Sequence, residues 1–153
     1  MVTNYLKKLL PRLALSFFSC GDSDPLGPIP ERLRSQLLVE APDELAEAVQ
    51  VDSVGWNWFF LDPFAPVGVK VGGSFRFNFT NSVDQDLSLR YELRFFDSDE
   101  FLVDIFFPFG QPLVLEPGQT RRLGDNFEIN ASDEFQAERL ETMRIVLKVE
   151  AGE

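Results

Sequence analysis

The chain has no histidine and one cysteine in 153 residues. Without histidine it lacks the commonest general base and the commonest metal ligand. Ser-His-Asp and Cys-His catalysis are therefore excluded. A single cysteine rules out zinc sites of four cysteines, or of two cysteines and two histidines. It also rules out an internal disulfide. Positive charge is scarce: 14 Lys and Arg stand against 25 Asp and Glu, a net charge of −11. Nucleic acid demands a basic surface, so it is not an expected partner. Simple attraction to anionic lipid headgroups is disfavoured for the same reason.

Phenylalanine is abundant, with 16 residues, and 44% of the chain is hydrophobic. That is enough apolar material for one domain with a real core. From about residue 51 the hydrophobic pattern has period two. In "VKVGGSFRFNFTN" Phe75, Phe77 and Phe79 share one face, and Ser74, Arg76 and Asn78 share the other. In "QDLSLRYELRFFDSDE" Leu87, Leu89, Tyr91, Leu93 and Phe95 point inward, with Ser88, Arg90, Glu92 and Arg94 outward. The last run, "ETMRIVLKVEA", turns Met143, Ile145, Leu147 and Val149 inward. Such alternation belongs to half-buried antiparallel strands. Turn chemistry separates the runs at Asn81-Ser82, Asp97-Ser98-Asp99, Pro108 to Pro112, Pro117-Gly118 and Gly124-Asp125-Asn126. About seven short strands so spaced predict a mainly β, immunoglobulin-like antiparallel sandwich over residues 51–153. "ASDEFQAERLE" is expected to form one helical turn across an end of it.

Before the strands, residues 31–50 read as one or two short helices. Pro30 and Pro42 suit first helical positions, with acids following. Leu33, Leu37 and Leu38 then supply one apolar face. These helices are expected to cover the surplus aromatics of "DIFFPFG", residues 104–110, because Phe106, Phe107 and Phe109 cannot all enter one core from a two-faced strand.

The stretch from Phe75 to Leu123 resembles the FxLYD type of immunoglobulin-like domain found in bacterial envelope lipoproteins. The resemblance rests on a strand ending in Phe79-Thr80-Asn81-Ser82, an aromatic-Asp turn at Phe95-Phe96-Asp97, and Leu115-Glu116-Pro117-Gly118. It covers about residues 72–149, and where the family has glycine after the Asp turn this chain has Asp99-Glu100. It implies a sandwich fold and an extracytoplasmic setting, and it brings no catalytic residues.

The N-terminus is similar to a bacterial lipoprotein signal peptide. Lys7, Lys8 and Arg12 precede the short apolar run "LALSFFS", which ends at Cys20-Gly21. The run is much shorter than the ~20 residues of a membrane-crossing helix. Ser19 and Gly21 fit the family's pattern around the modified cysteine, whereas Phe17 and Phe18 replace its usual leucine and small residue. The resemblance implies a signal over residues 1–19, a lipid on Cys20, and attachment to the membrane of the bacterial envelope. Residues 20–30, rich in Pro, Gly and Asp, then serve as a tether.

Two constellations are candidate sites. Trp56, Trp58 and Phe59, with Phe107 farther on, are aromatics for a partner or ligand. Asp97, Asp99 and Glu100 place carboxylates on a hairpin tip, as calcium sites do, although the spacing lacks an EF-hand's ligands and glycine. The commoner roles of these residues are core packing and turn chemistry. No cofactor is expected, and nothing singles out a catalytic carboxylate pair. The expected function is a non-enzymatic, envelope-anchored binding or structural module that contacts another envelope protein. The alternatives are a calcium- or glycan-binding accessory subunit, or an unanchored cytoplasmic sandwich protein.

Overall fold

The computed structural model describes residues 33–152. The expected signal over residues 1–19, Cys20 and the expected tether lie outside the described residues. Eight strands form two packed sheets: β1 Arg34–Glu40, β2 Val49–Asp62, β3 Val69–Asn81, β4 Leu87–Asp97, β5 Leu102–Phe106, β6 Leu113–Leu115, β7 Thr120–Ala131 and β8 Leu140–Ala151. The expected β-sandwich is present. One sheet has the order β2-β3-β7; the other runs β1-β8-β4-β5, with β6 also on β4.

The alternation read from the sequence sets the core. Phe75, Phe77 and Phe79 of β3 face Leu87, Leu89, Tyr91, Leu93 and Phe95 of β4, and Met143, Ile145, Leu147 and Val149 of β8 close the same layer. Phe77 and Phe79 meet Tyr91 edge-on, with ring centroids 5.4 and 5.6 Å away. Phe95 packs on Phe127 at 4.5 Å. Burial of these rings is the dominant stabilising term, each worth roughly 3–5 kcal/mol if cut to alanine. Position 73 has room only for glycine, since a Cβ there would lie 2.2 Å from the Phe127 ring and 2.3 Å from Asn57 O.

Among the described residues of the stretch 31–50, the expected helices are not there. Residues 34–40 form β1, which pairs in parallel with β8, from Arg34↔Thr142 to Glu40↔Lys148. Only Asp43–Leu45, after Pro42, makes a single 3₁₀ turn. The leucine spacing fits a helix locally, but β8 offers an open edge whose hydrogen bonds a helix cannot satisfy. The sheet is therefore not purely antiparallel, as the expected sandwich was. With the helices goes the expected cover of residues 104–110. Phe106 is half-buried against Phe75 and Phe127, and Phe107 and Phe109 stay exposed.

Gly124-Asp125-Asn126 is also not a turn. It lies inside β7, paired with Arg76, Phe75 and Ser74 of β3. The helical turn before the last strand is present as α1, Glu134–Glu138, with Asp133 Oδ1 accepting from Gln136 N at 2.8 Å.

Strand directions define two ends. β2 leaves and β3 starts at one end, where β7 finishes, α1 sits and β8 begins, as Val69↔Ala131 and Asp97↔Leu140 show. β1 starts at this same end. We call it the apical end; Leu45 and Ala48 are buried at the opposite, basal end, where Ser82 N donates to Ala48 O.

Candidate functional site

The four aromatics singled out in the sequence do not gather. Trp56 is buried between Phe95 and Phe127, and its Nε1 donates to Arg34 O at 2.9 Å, which ties β1 to the other sheet. Trp58 faces the same way and is half-buried. Phe59 is the extra residue of a bulge, since Trp58 pairs with Gly73 and Phe60 with Gly72. The bulge turns Phe59 out, leaving it 60% exposed. Phe107 sits on the outer face of the other sheet. There it borders a cavity of about 290 Å³ with Arg90, Glu92, Pro108, Gln111, Val146 and Lys148.

The acidic hairpin tip does not present its carboxylates together. Asp97 is buried, and its Oδ1 accepts from Asp99 N at 2.9 Å and Phe101 N at 3.0 Å. This carboxylate organises the turn's backbone. Asp99 pairs with Arg139, which holds the guanidinium charged and raises its pKa. Glu100 takes a left-handed conformation with φ of 64°. Among the described residues no three Asp, Glu, Cys or His side chains group as a metal would require.

Two surfaces stand out instead. The first is the apical end. Phe64 is 92% exposed, Val67 80%, Phe101 66% and Phe135 67%, and Leu102 joins them. They come from the β2–β3 loop, the β4–β5 hairpin and α1. Arg139 stacks over Phe135 at 4.8 Å from its centroid and links α1 to the hairpin through Ser98 and Asp99. The sequence marked the β4–β5 tip for its acids, but its exposed Phe101 and its neighbours from distant segments went unread.

The second is the outer face of β2-β3-β7. A groove of about 820 Å³ there is lined by Asn57, Phe59, Ser74, Arg76, Arg122 and the Gly124-Asp125-Asn126 stretch, so two guanidiniums and a carboxylate share it. Ser74 Oγ donates to Asn57 Oδ1 at 3.2 Å. Lys70 on the same face is held charged by Glu128 at 2.9 Å, which raises its pKa. Tyr91 in the core is pushed up to about 12, first by burial and then by the Asp125 carboxylate.

No family model matches the chain, and no curated protein matches it. Solved structures of loosely similar shape include a Northeast Structural Genomics Consortium target, SoR45, with TM-score 0.43 and 13% identity over 57% of this chain and 67% of that one. Another is Campylobacter jejuni cj0090, with TM-score 0.37 and 17% identity, covering 75% of this chain and 98% of that one. A third is a beta-glucuronidase of glycoside hydrolase family 2, with TM-score 0.39 and 8% identity, covering 60% of this chain and 11% of that one. At such scores the likeness says nothing of what the chain binds. No helix among the described residues is long and apolar enough to cross a membrane.

Proposed function

We propose that the chain is a non-enzymatic module, lipid-anchored through Cys20 in the bacterial envelope, that contacts another envelope protein with its apical end. The observation that supports this is the exposure of Phe64, Val67, Phe101 and Phe135 on three separate segments at that end. Exposed aromatics brought together on otherwise solvated loops suit a partner's apolar surface better than they suit water. β1 starts at the same end, so the chain before Leu33 joins the sandwich there. A membrane anchor on that segment keeps the apical end close to the bilayer, where a membrane-embedded partner is within reach. The acidic rim of Asp99, Glu100, Asp133 and Glu134 favours a partner with basic residues around its apolar centre.

The test places a photo-crosslinking residue in living cells at Phe64 or Phe101, with Thr120 at the basal end as control. Discrete adducts from the two apical positions alone support the reading. Equal adducts from all three positions, or none, sink it. Palmitate-analogue labelling of wild type against Cys20→Ala tests the anchor separately, since label should vanish with the cysteine.

A further inference from the structure

We infer that β1 pairs, antiparallel, with β1 of a second copy of this chain, so that the β1-β8-β4-β5 sheet continues across a two-fold axis at Leu37. The inference rests on neither the anchor nor the apical contact.

An edge strand carries backbone N–H and C=O groups without partners in its own sheet, and these attract another strand. Three of the four edges here are blunted. β2 is broken by bulges at Asp52/Gly55 and Trp58/Phe60, and Ser53 has a φ of 52°. β7 lies against β5, whose Asp104 Oδ2 accepts from Asn130 N at 2.8 Å. The edge beyond β4 is divided between β5, five residues, and β6, three residues. β1 differs. Its seven residues keep an unbroken register with β8 and include no proline, glycine or lysine. A parallel ladder uses the backbone groups of alternate residues, and the rest face outward. Among the described residues, the one further bond to this strand's backbone is Trp56 Nε1 on Arg34 O, at its start.

The side chains select the partner. An antiparallel register centred on Leu37 sets Leu37 on Leu37, Gln36 on Leu38, Ser35 on Val39 and Arg34 on Glu40 of the other copy. Paired positions are both odd or both even, so outward backbone groups meet outward backbone groups. Leu37 is 45% exposed and Leu38 42%, on opposite faces of the strand. Pairing covers both. The two Leu37 side chains meet on one face, and the two Leu38 become diagonal neighbours on the other.

Charge sets the direction. Arg34 bonds Glu141 at 2.9 Å through Nε, and Glu40 lies 3.7 Å from Lys148, yet their side chains are 71% and 46% exposed. A guanidinium has further donors beyond Nε. At each end of the paired strands, opposite charges would then alternate from Glu141 to Arg34, and on to Glu40 and Lys148 of the other copy. Parallel pairing would set Arg34 on Arg34 and Glu40 on Glu40, and like charges directly opposite repel. The antiparallel pair also closes on itself as a two-fold dimer, leaving no growing edge at β1. It turns the copies end for end, so both apical surfaces stay outside the contact.

The experiment is sedimentation velocity of the full chain carrying Cys20→Ala, over a range of concentrations. A reversible dimer should appear and dissociate on dilution, since one strand pair makes a small interface. Leu37→Lys places two ammonium groups at the axis and should weaken the dimer about ten-fold or more. Leu37→Cys in the same background keeps the test valid if that variant misfolds. Cross-strand Cβ atoms lie about 4.5–5.5 Å apart, so mild oxidation should give a covalent dimer. Val114→Cys, exposed on β6, should not. A monomer at every concentration would overturn the inference. So would a dimer unmoved by Leu37→Lys, as association through residues 1–32 would be, or equal crosslinking of the two cysteine variants. Apical photo-crosslinks can fail while this dimer stands, and the reverse.

Discussion

The side-chain amide of Gln111 pairs with both backbone polar groups of Tyr91: Oε1 accepts from Tyr91 N at 2.6 Å and Nε2 donates to Tyr91 O at 2.7 Å. Along this edge β4 pairs with β5 down to Leu93 and with β6 from Leu89. Tyr91 falls in the gap between them. One side chain there does the work of a missing strand residue, and its Nε2 also donates to Pro108 O at 3.1 Å.

Replacing Gln111 with leucine should therefore destabilise the domain by about 2–3 kcal/mol, because two half-buried backbone groups lose their partners. Urea denaturation measures this. A loss below about 0.5 kcal/mol would mean that water replaces the amide without penalty.

Asn81 is fully buried and makes three bonds: Nδ2 donates to Gln85 O and Leu115 O, and Oδ1 accepts from Val83 N. Asn81→Asp puts a carboxylate against two carbonyl oxygens. It should cost more than Asn81→Ala, which itself should cost about 2–4 kcal/mol. Equal melting temperatures for the two variants would contradict the assigned amide orientation.

Glu100 holds a left-handed conformation that a side chain disfavours by roughly 1–2 kcal/mol. Glu100→Gly relieves it and should raise stability by about 0.5–1 kcal/mol, after the added freedom of glycine in the unfolded chain is offset. A destabilised variant would show that the Glu100 side chain contributes more than its backbone conformation loses.

Tyr91 has its pKa raised from 10.0 to about 12, chiefly by burial. Between these values the unfolded chain releases the phenolic proton and the folded chain keeps it. Stability should thus be flat up to about pH 10 and fall by on the order of 2 kcal/mol toward about pH 12. Tyr91→Phe should lose this slope. Denaturation at a series of alkaline pH values checks it, and an unchanged slope in the variant would place the titration elsewhere.

The central strands were legible because their signal is local. Phe75, Phe77 and Phe79 alternate with Ser74, Arg76 and Asn78, and period two admits only one way to bury them. Asn81 and Pro117-Gly118 were legible as turn chemistry, and the structure joins them: Gly118 N donates to Asn81 O and Asn81 N to Gln119 O. β1 was not legible. Its partner strand lies over a hundred residues away, as in the Gln36–Arg144 bond with a separation of 108. Its leucines fit a helix equally well. Gly124-Asp125-Asn126 misled for the same reason, since turn-prone residues were overruled by distant pairing with β3. The groove on the outer face of β2-β3-β7 depends on which residues fall opposite Arg76. That is decided by a bulge in β2 and by the register of β7, and no short stretch encodes it.

The direction of β1 has a mechanical consequence. It begins at the apical end and runs down β8 in parallel, from Arg34 to Glu40. The last described residues are basal, where Gly152 N donates to Asp86 O at 2.7 Å. A pull arriving through the chain before Leu33 and directed away from the apical end therefore acts along the axis of β1. It loads the slanted hydrogen bonds of the whole parallel pair at once, in shear, instead of peeling them one by one. The strand least buried in the sandwich is thus oriented to carry force between the domain and whatever holds its N-terminal segment.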